Sequence, residues 1–114
     1  MGMFDTFILK EPLKCKCGGD LDQNPQTKDM VCEMMEIHEG ETTAKGFSSN
    51  NINLSQFHGD DIEIDEECDK CGGFTRFNVI FNEKGNFEIV PKEHQDKDHN
   101  WYIWENNQWE LKTY

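Results

Sequence analysis

Four of the five cysteines form two pairs, and two glycines follow each pair. Cys15 and Cys17 stand in Lys-Cys-Lys-Cys-Gly-Gly, whereas Cys68 and Cys71 stand in Cys-Asp-Lys-Cys-Gly-Gly. Zinc prefers four thiolate or imidazole ligands in a tetrahedron, and one tight turn with two cysteines supplies half of that set. Glycine after the second cysteine lets the backbone bend sharply, so that amides approach the sulfurs. The pattern predicts one structural zinc ion bound by Cys15, Cys17, Cys68 and Cys71.

The two pairs differ in spacing. The second pair has the usual Cys-x-x-Cys of a zinc ribbon, but the first is Cys-x-Cys, and residues 18–67 separate them. A disulfide, a redox pair and free thiols are the alternatives. A redox Cys-x-x-Cys normally opens a helix in a thioredoxin-like setting, whereas this one follows an acidic run and precedes an expected strand. We interpret the fifth cysteine, Cys32, as a buried small hydrophobic side chain rather than as a replacement for Cys15 or Cys17.

Three lysines stand beside the expected ligands. Four thiolates around one divalent ion carry a net charge of about −2, since each thiolate contributes one negative charge. Positive side chains next to the ligands would offset part of this charge, and the candidates are Lys14, Lys16 and Lys70.

The sequence contains no recognisable catalytic constellation. A deaminase would show His-x-Glu together with Pro-Cys-x-x-Cys, and neither that pattern, a phosphate-binding loop nor a nucleophile elbow is present. All four histidines fall in segments that we predict to be polar or turn-like, without metal-motif spacing to the cysteines: His38, His58, His94 and His99. We consider three functions, namely protein binding, nucleic-acid binding and catalysis. Catalysis at an unrecognised site is therefore the least favoured of them.

Alternating apolar residues predict an all-β or β-rich domain, built from antiparallel hairpins around the two cysteine turns. The clearest hairpin covers residues 74–90 and turns at Asn82–Asn86, which contains a glycine. A second hairpin pairs Trp101–Trp104 with Trp109–Leu111 across two asparagines. Because the chain has only 114 residues and one such pattern, we expect residues 1–114 to form a single zinc-ribbon-like domain.

The remaining segments give weaker signals. Thr27–His38 fits both helical spacing and strand alternation, and we predict a strand because a glycine ends the run early. Ile52–Phe57 suggests a short strand. Gly40–Asn51 and Glu93–Asn100 are polar and predict loops.

Acidic residues outnumber basic ones by 23 to 11, giving a formal charge of −12. Such a surface repels nucleic-acid backbones unless its basic residues cluster on one face. A protein with a basic surface is therefore the preferred partner, and nucleic-acid binding is the alternative. Residues 60–69 are densest in acid, and Ile62 and Ile64 alternate with outward acids there. One interpretation is a solvated strand edge. The sharper one is a partner-binding surface made by Asp60, Asp61, Glu63, Asp65, Glu66 and Glu67.

Aromatic side chains in the C-terminal half would serve as a stacking platform for bases only beside a basic groove, and Arg76 is the single arginine. We therefore assign most of these rings to the core. No apolar run is long enough to span a membrane, and the first residues lack a secretory signal pattern. We expect a cytoplasmic protein with reduced cysteines.

The opening Met-Gly-Met-Phe-Asp, the paired cysteines and a Gln-Thr-Lys-Asp stretch followed by a cysteine resemble a loose group of small uncharacterised bacteriophage and prophage proteins. The resemblance covers the first third of the chain and the second cysteine pair. It implies a phage origin and the cytoplasm of a bacterial host, and it implies no activity. Residues that carry it are Phe4, Gln26, Thr27, Lys28 and the four paired cysteines.

The preferred function is that of an acidic phage accessory protein that binds a host or phage protein with a basic surface. Inhibition of a nucleic-acid enzyme or of a defence complex would suit its charge.

Overall fold

The computed structural model describes residues 4–31, 34–46 and 51–112. Within these ranges the chain forms ten β-strands and one short 3-10 helix, and no helix there is long and apolar enough to cross a membrane. The strands are β1 (Asp5–Ile8), β2 (Gln26–Thr27), β3 (Glu36–His38), β4 (Thr43–Lys45), β5 (Asn51–Asn53), β6 (Ile62–Glu67), β7 (Phe74–Phe81), β8 (Phe87–Gln95), β9 (Trp101–Glu105) and β10 (Gln108–Leu111), and the 3-10 helix is Leu54–Phe57.

The largest sheet is an antiparallel meander of five strands in the order β10-β9-β8-β7-β6. Its inner face follows from the period-2 alternation of apolar residues. Phe77, Val79 and Phe81 of β7 are buried, and so are Ile62 and Ile64 of β6. The β-rich fold and both predicted hairpins are thereby confirmed.

Strand β8 is longer than the sequence suggests. It runs through Pro91 to Gln95, and the ladder to β7 skips Lys92. The skipped residue is a β-bulge, one of the few places in a sheet that tolerates proline. The loop predicted for Glu93–Asn100 is therefore wrong in its first three residues, because the bulge shifts the alternation by one position.

A smaller three-stranded sheet packs on the inner face of the meander. Its order is β2-β1-β3, with β1 antiparallel to β2 and parallel to β3. Phe7 of β1 lies with its ring centroid 5.1 Å from that of Phe87 and 6.4 Å from that of Phe81. The predicted strand Ile52–Phe57 is instead β5 followed by the 3-10 helix, which places Phe57 5.6 Å from Phe81. One aromatic cluster thus joins the two sheets and the helix.

Two further sequence predictions need correction. Thr27–His38 is not one strand, because β2 ends at its first residue and β3 covers only its last three. Met34 has a positive φ of 58°, which interrupts extended backbone, and the burial pattern changes phase there, with Met35 fully buried. The predicted loop Gly40–Asn51 contains β4, which pairs with β5. Cys32 lies outside the described residues.

Phe81→Ala is expected to lower the free energy of unfolding by about 3–5 kcal/mol, because Phe81 is 1% exposed and contacts three other phenylalanines. The neighbouring Ile80 is 52% exposed on the opposite face, so Ile80→Ala should stay within about 0.5 kcal/mol of the parent. Denaturant unfolding of the metal-loaded proteins measures both. Equal losses in the two variants would contradict this assignment of the core.

Candidate metal centre

The four paired cysteines meet at one point in the structure. Their sulfur atoms all lie within 4.8 Å of one another, with Cys15 Sγ 3.6 Å from Cys71 Sγ and Cys17 Sγ 3.6 Å from Cys68 Sγ. Sulfurs bound tetrahedrally at the usual zinc–sulfur distance would be about 3.8 Å apart. A disulfide needs about 2.05 Å, so no pair of these cysteines is bonded. The geometry fits four ligands around one metal ion.

The first cysteine pair lies on a tight turn between β1 and β2. Lys14 and Asp20 form a β-bridge at its base, and their side chains make an ion pair. The Cys15 amide donates to Gly19 O (2.9 Å), and the Gly18 amide donates to Cys15 O (2.9 Å). Closing the turn over so few residues leaves room for only one residue between the two sulfurs, which accounts for the Cys-x-Cys spacing.

The second pair forms the turn of the β6–β7 hairpin. The Cys68 amide donates to Gly73 O (2.8 Å), and the Gly72 amide donates to Cys68 O (2.9 Å). Gly72 has a φ of +76°, which glycine adopts readily. Gly73 serves a different purpose, since a Cβ at that position would lie 2.4 Å from Gln95 O of β8. The double glycine therefore both turns the chain and lets the turn pack closely on β8.

Burial and backbone amides act differently on the thiols. Burial raises the pKa of the Cys15 thiol to about 12 and also raises the pKa of Cys71. Burial pushes the pKa of Cys68 in the same direction, but hydrogen bonds from the amides of Cys71 and Lys70 and from the thiols of Cys17 and Cys15 lower it to about 7. A coordinating cation would hold all four sulfurs in the thiolate form. The donor set is therefore suited to a metal ion.

A buried threonine–histidine pair supports Cys15. Thr75 Oγ1 donates to Cys15 Sγ (3.7 Å), and His94 Nδ1 lies 2.8 Å from Thr75 Oγ1 and 3.9 Å from the same sulfur. Burial, and then the charge of Lys16, lowers the pKa of His94, which favours the neutral imidazole. Because Thr75 donates its only hydroxyl hydrogen to Cys15 Sγ, a bond between His94 Nδ1 and Thr75 Oγ1 requires the tautomer with the hydrogen on Nδ1. The chain of bonds runs from His94 through Thr75 to Cys15.

His94 was missed in the sequence because it falls in the segment predicted as a polar loop. It is 3% exposed and lies across from Thr75 in the β7–β8 ladder. The bulge at Lys92 removes the simple alternation that would have revealed an inward position.

The three lysines near the ligands have separate contacts. The ammonium of Lys16 lies 4.1 Å from the centroid of the Tyr102 ring, and Lys14 is paired with Asp20. Lys70 packs its aliphatic stem against the turn that carries the first cysteine pair. The ammonium groups of Lys14 and Lys16 therefore have partners other than the sulfurs.

Basic side chains of β7 and β8 partly neutralise the acidic segment, residues 60–69. Ile62 and Ile64 point inward as predicted, so Glu63 and Asp65 share the outer face of β6. Arg76 on β7 lies across from Asp65 and bonds it at 2.8 Å, with Glu63 at 3.5 Å, and Lys92 Nζ lies 2.8 Å from Glu63.

The other candidate acids differ in burial. Asp60, Asp61 and Glu67 are exposed, and no ion pair reaches them from residues 4–31, 34–46 or 51–112. Glu66 is half-buried, and burial, followed by the charges of Asp22 and Asp65, raises its pKa to about 7. An open groove of about 850 Å³ runs beside Glu66 and Glu67 to the second cysteine turn, and Asp60 and Asp61 do not line it. Its lining residues are Asp20, Leu21, Asp22, Asp65, Glu66, Glu67, Asp69, Phe74 and Arg76.

Comparisons with protein-family models, with curated proteins and with solved structures give no match. The structure brings all four predicted ligands together, in a β-rich fold. It therefore shows that four cysteines lie close enough to bind one metal ion.

Thr75→Val is expected to weaken metal binding by about 10–100-fold, because it removes the hydrogen bond to Cys15 Sγ and leaves His94 Nδ1 without its partner. Thr75→Ser keeps the hydroxyl and should bind nearly as tightly as the parent. Competition with a chromophoric chelator measures both affinities. Parental affinity in Thr75→Val would show that the pair only fills space.

Proposed function

We propose that this chain is a metal-stapled binding protein, in which a structural zinc ion holds two cysteine turns together and an acidic face engages a basic partner protein. The cluster of four sulfurs carries the proposal. Four thiolates are a usual ligand set for zinc, and four protein ligands leave no coordination position for water or substrate. An ion held this way supports folding rather than chemistry.

Zinc has a clear mechanical role in this fold. Within the described residues, the two arms of the first cysteine turn are joined by a single β-bridge, between Lys14 and Asp20, rather than by a ladder of strands. The second turn belongs to the largest sheet. An ion shared by both turns would fasten a weakly structured segment to a strongly structured one, and its binding energy becomes folding energy.

Protein purified without added metal is expected to contain one zinc per chain, and Cys71→Ser should lower the melting temperature sharply, because a lost ligand weakens the ion that joins the turns. Elemental analysis and thermal melting measure these results. Cys32→Ser is the matched control, since we place Cys32 outside the ligand set, and it should keep both the zinc and the melting temperature.

A folded, metal-free parent protein would contradict the proposal. So would a Cys71→Ser variant that melts like the parent.

The acidic face has rigid and free charges in separate places. Glu63 and Asp65 are paired with Arg76 of β7 and Lys92 of β8, so their charges are already partly compensated. Asp60 and Asp61 precede β6 and Glu67 ends it, all three exposed. Exposed charges of this kind, without a compensating partner among the ion pairs of the described residues, would steer a basic partner in quickly.

A basic partner suits the charge of the whole chain, −12. The resemblance to phage proteins favours a host protein in the bacterial cytoplasm, and an enzyme or defence complex that handles nucleic acid would carry a basic surface. Binding to its basic groove would inhibit it. Nucleic acid itself is a poor partner because both surfaces are negative.

Neutralising Asp60, Asp61 and Glu67 to Asn, Asn and Gln is expected to reduce capture of the partner from bacterial lysate and to weaken the salt dependence of binding. The matched control neutralises three exposed glutamates elsewhere, Glu11, Glu41 and Glu83, and removes the same amount of charge. Pull-down with quantitative mass spectrometry at two salt concentrations measures the difference.

Equal capture by both triple variants would remove this surface from the proposal. Clear binding of duplex or single-stranded nucleic acid at physiological salt in a mobility-shift assay would replace it with the nucleic-acid reading.

A further inference from the structure

The two edges of the five-stranded sheet are treated differently. On the β6 edge, the Glu63 amide donates to Asp29 Oδ2 (2.9 Å), and Thr27 Oγ1 donates to Glu63 O (3.0 Å). Side chains from the β2 region therefore occupy hydrogen-bonding groups that another strand would need. On the β10 edge, within the part of the chain that the structure describes, no strand lies outside β10.

The register of β10 shows which groups face outward. The Lys112 amide donates to Trp101 O (2.8 Å). In an antiparallel ladder, hydrogen-bonded and non-hydrogen-bonded pairs alternate, so Glu110 is also bonded to β9, whereas Trp109 and Leu111 are not. Trp109 and Leu111 therefore direct their backbone N–H and C=O groups away from β9, toward the open side.

Trp109 and Leu111 also form an apolar surface beside the open edge. Trp109 and Leu111 share one face of the hairpin. The Trp109 ring lies 5.2 Å from Trp104 and 5.9 Å from the buried His94, which fixes it beside the metal centre. Leu111 is 56% exposed. The opposite face of β10 carries Glu110, which accepts a hydrogen bond from Gln108, and Lys112 follows on the same face. An incoming strand therefore meets apolar side chains on one face and polar and charged side chains around a carboxylate on the other.

We propose that the outer edge of β10 binds an extended segment of a partner protein as an added strand, with apolar side chains over Trp109 and Leu111 and basic side chains beside Glu110. Main-chain bonds to the open edge would supply affinity, and the alternating side chains would supply selectivity. This surface lies at the opposite edge of the sheet from the acidic segment, and the inference does not depend on the proposed function.

Charge favours a basic partner over a second copy of the chain. Antiparallel pairing of two β10 strands centred on Glu110 would place the two Glu110 side chains opposite each other, which is unfavourable. Pairing centred on Leu111 would place Glu110 opposite Lys112, so the charge of the whole chain is what disfavours a second copy in every register. Each copy also carries a formal charge of −12. A segment that alternates apolar residues with lysine or arginine meets neither obstacle.

The test uses the full-length, zinc-loaded protein and a short peptide that alternates valine with lysine, alongside a counterpart that alternates valine with glutamate. We expect the basic peptide to shift the backbone amide signals of Trp109 and Leu111 in NMR spectra and to bind at least about tenfold more tightly than the acidic peptide. Tryptophan fluorescence titration supplies the dissociation constants.

Two variants separate edge pairing from simple adhesion. Leu111→Pro removes an outward N–H but no bond to β9, so it should fold and bind the basic peptide about tenfold more weakly. Leu111→Val keeps the N–H and should bind the peptide like the parent. Glu110→Lys should reduce the preference for the basic over the acidic peptide, because it replaces the carboxylate beside the added strand while the rest of the chain stays negative. Because Glu110→Lys leaves the backbone intact, it tests the proposal even if the proline variant does not fold.

Several results would overturn the inference. Unchanged binding in Leu111→Pro, equal binding of both peptides, or signal shifts confined to β6 would exclude a strand added at β10. A stable dimer in sedimentation analysis, with the Trp109 and Leu111 amides protected from exchange, would assign the edge to a second copy. Shifts of the same amides by single-stranded DNA would assign it to nucleic acid.

Discussion

The convergence of two distant cysteine turns on one point is the constraint on which the other features depend. The chain between the turns forms β2 to β6 and the 3-10 helix before it reaches the second turn. The aromatic cluster around Phe81 packs the 3-10 helix on the large sheet, while a metal ion bound by the four sulfurs would fasten the first cysteine turn to the second. Few residues are apolar, so such a link would replace packing that the composition does not supply.

The parts that could be predicted from sequence are those with a local chemical signature. Paired cysteines with double glycines imply ligands whatever the surrounding fold, and strict alternation in β7 implies one buried face. His94 could not be found this way, because a bulge shifts the phase of β8 at Lys92. The break between β2 and β3 was missed for a similar reason, since neither the hydrogen bond from the Asp29 amide to Thr27 Oγ1 nor the positive φ at Met34 is visible in composition.

The charge of the outer face of β6 also could not be predicted from the residues of that segment alone. Seven acids in residues 60–69 suggest a strongly negative strand, but Arg76 lies across from Asp65 and Lys92 reaches Glu63. Those pairings depend on strand register, which the sequence does not reveal. Exposed ion pairs contribute little stability, so their main effect is to lower the usable charge of the outer face and to leave the strand ends as its negative sites.

His94 connects the metal centre with the open edge of the sheet. Its imidazole reaches Cys15 through Thr75 on one side, and its ring lies 5.9 Å from Trp109 and 6.1 Å from Tyr102 on the other. Side chains packed this closely do not move independently. Whatever fixes the Cys15 sulfur therefore also fixes the face of the β9–β10 hairpin. A structural ion in this fold would consequently order two regions at once, the turn that binds it and the edge strand β10, whose outer side has no neighbouring strand within the described chain.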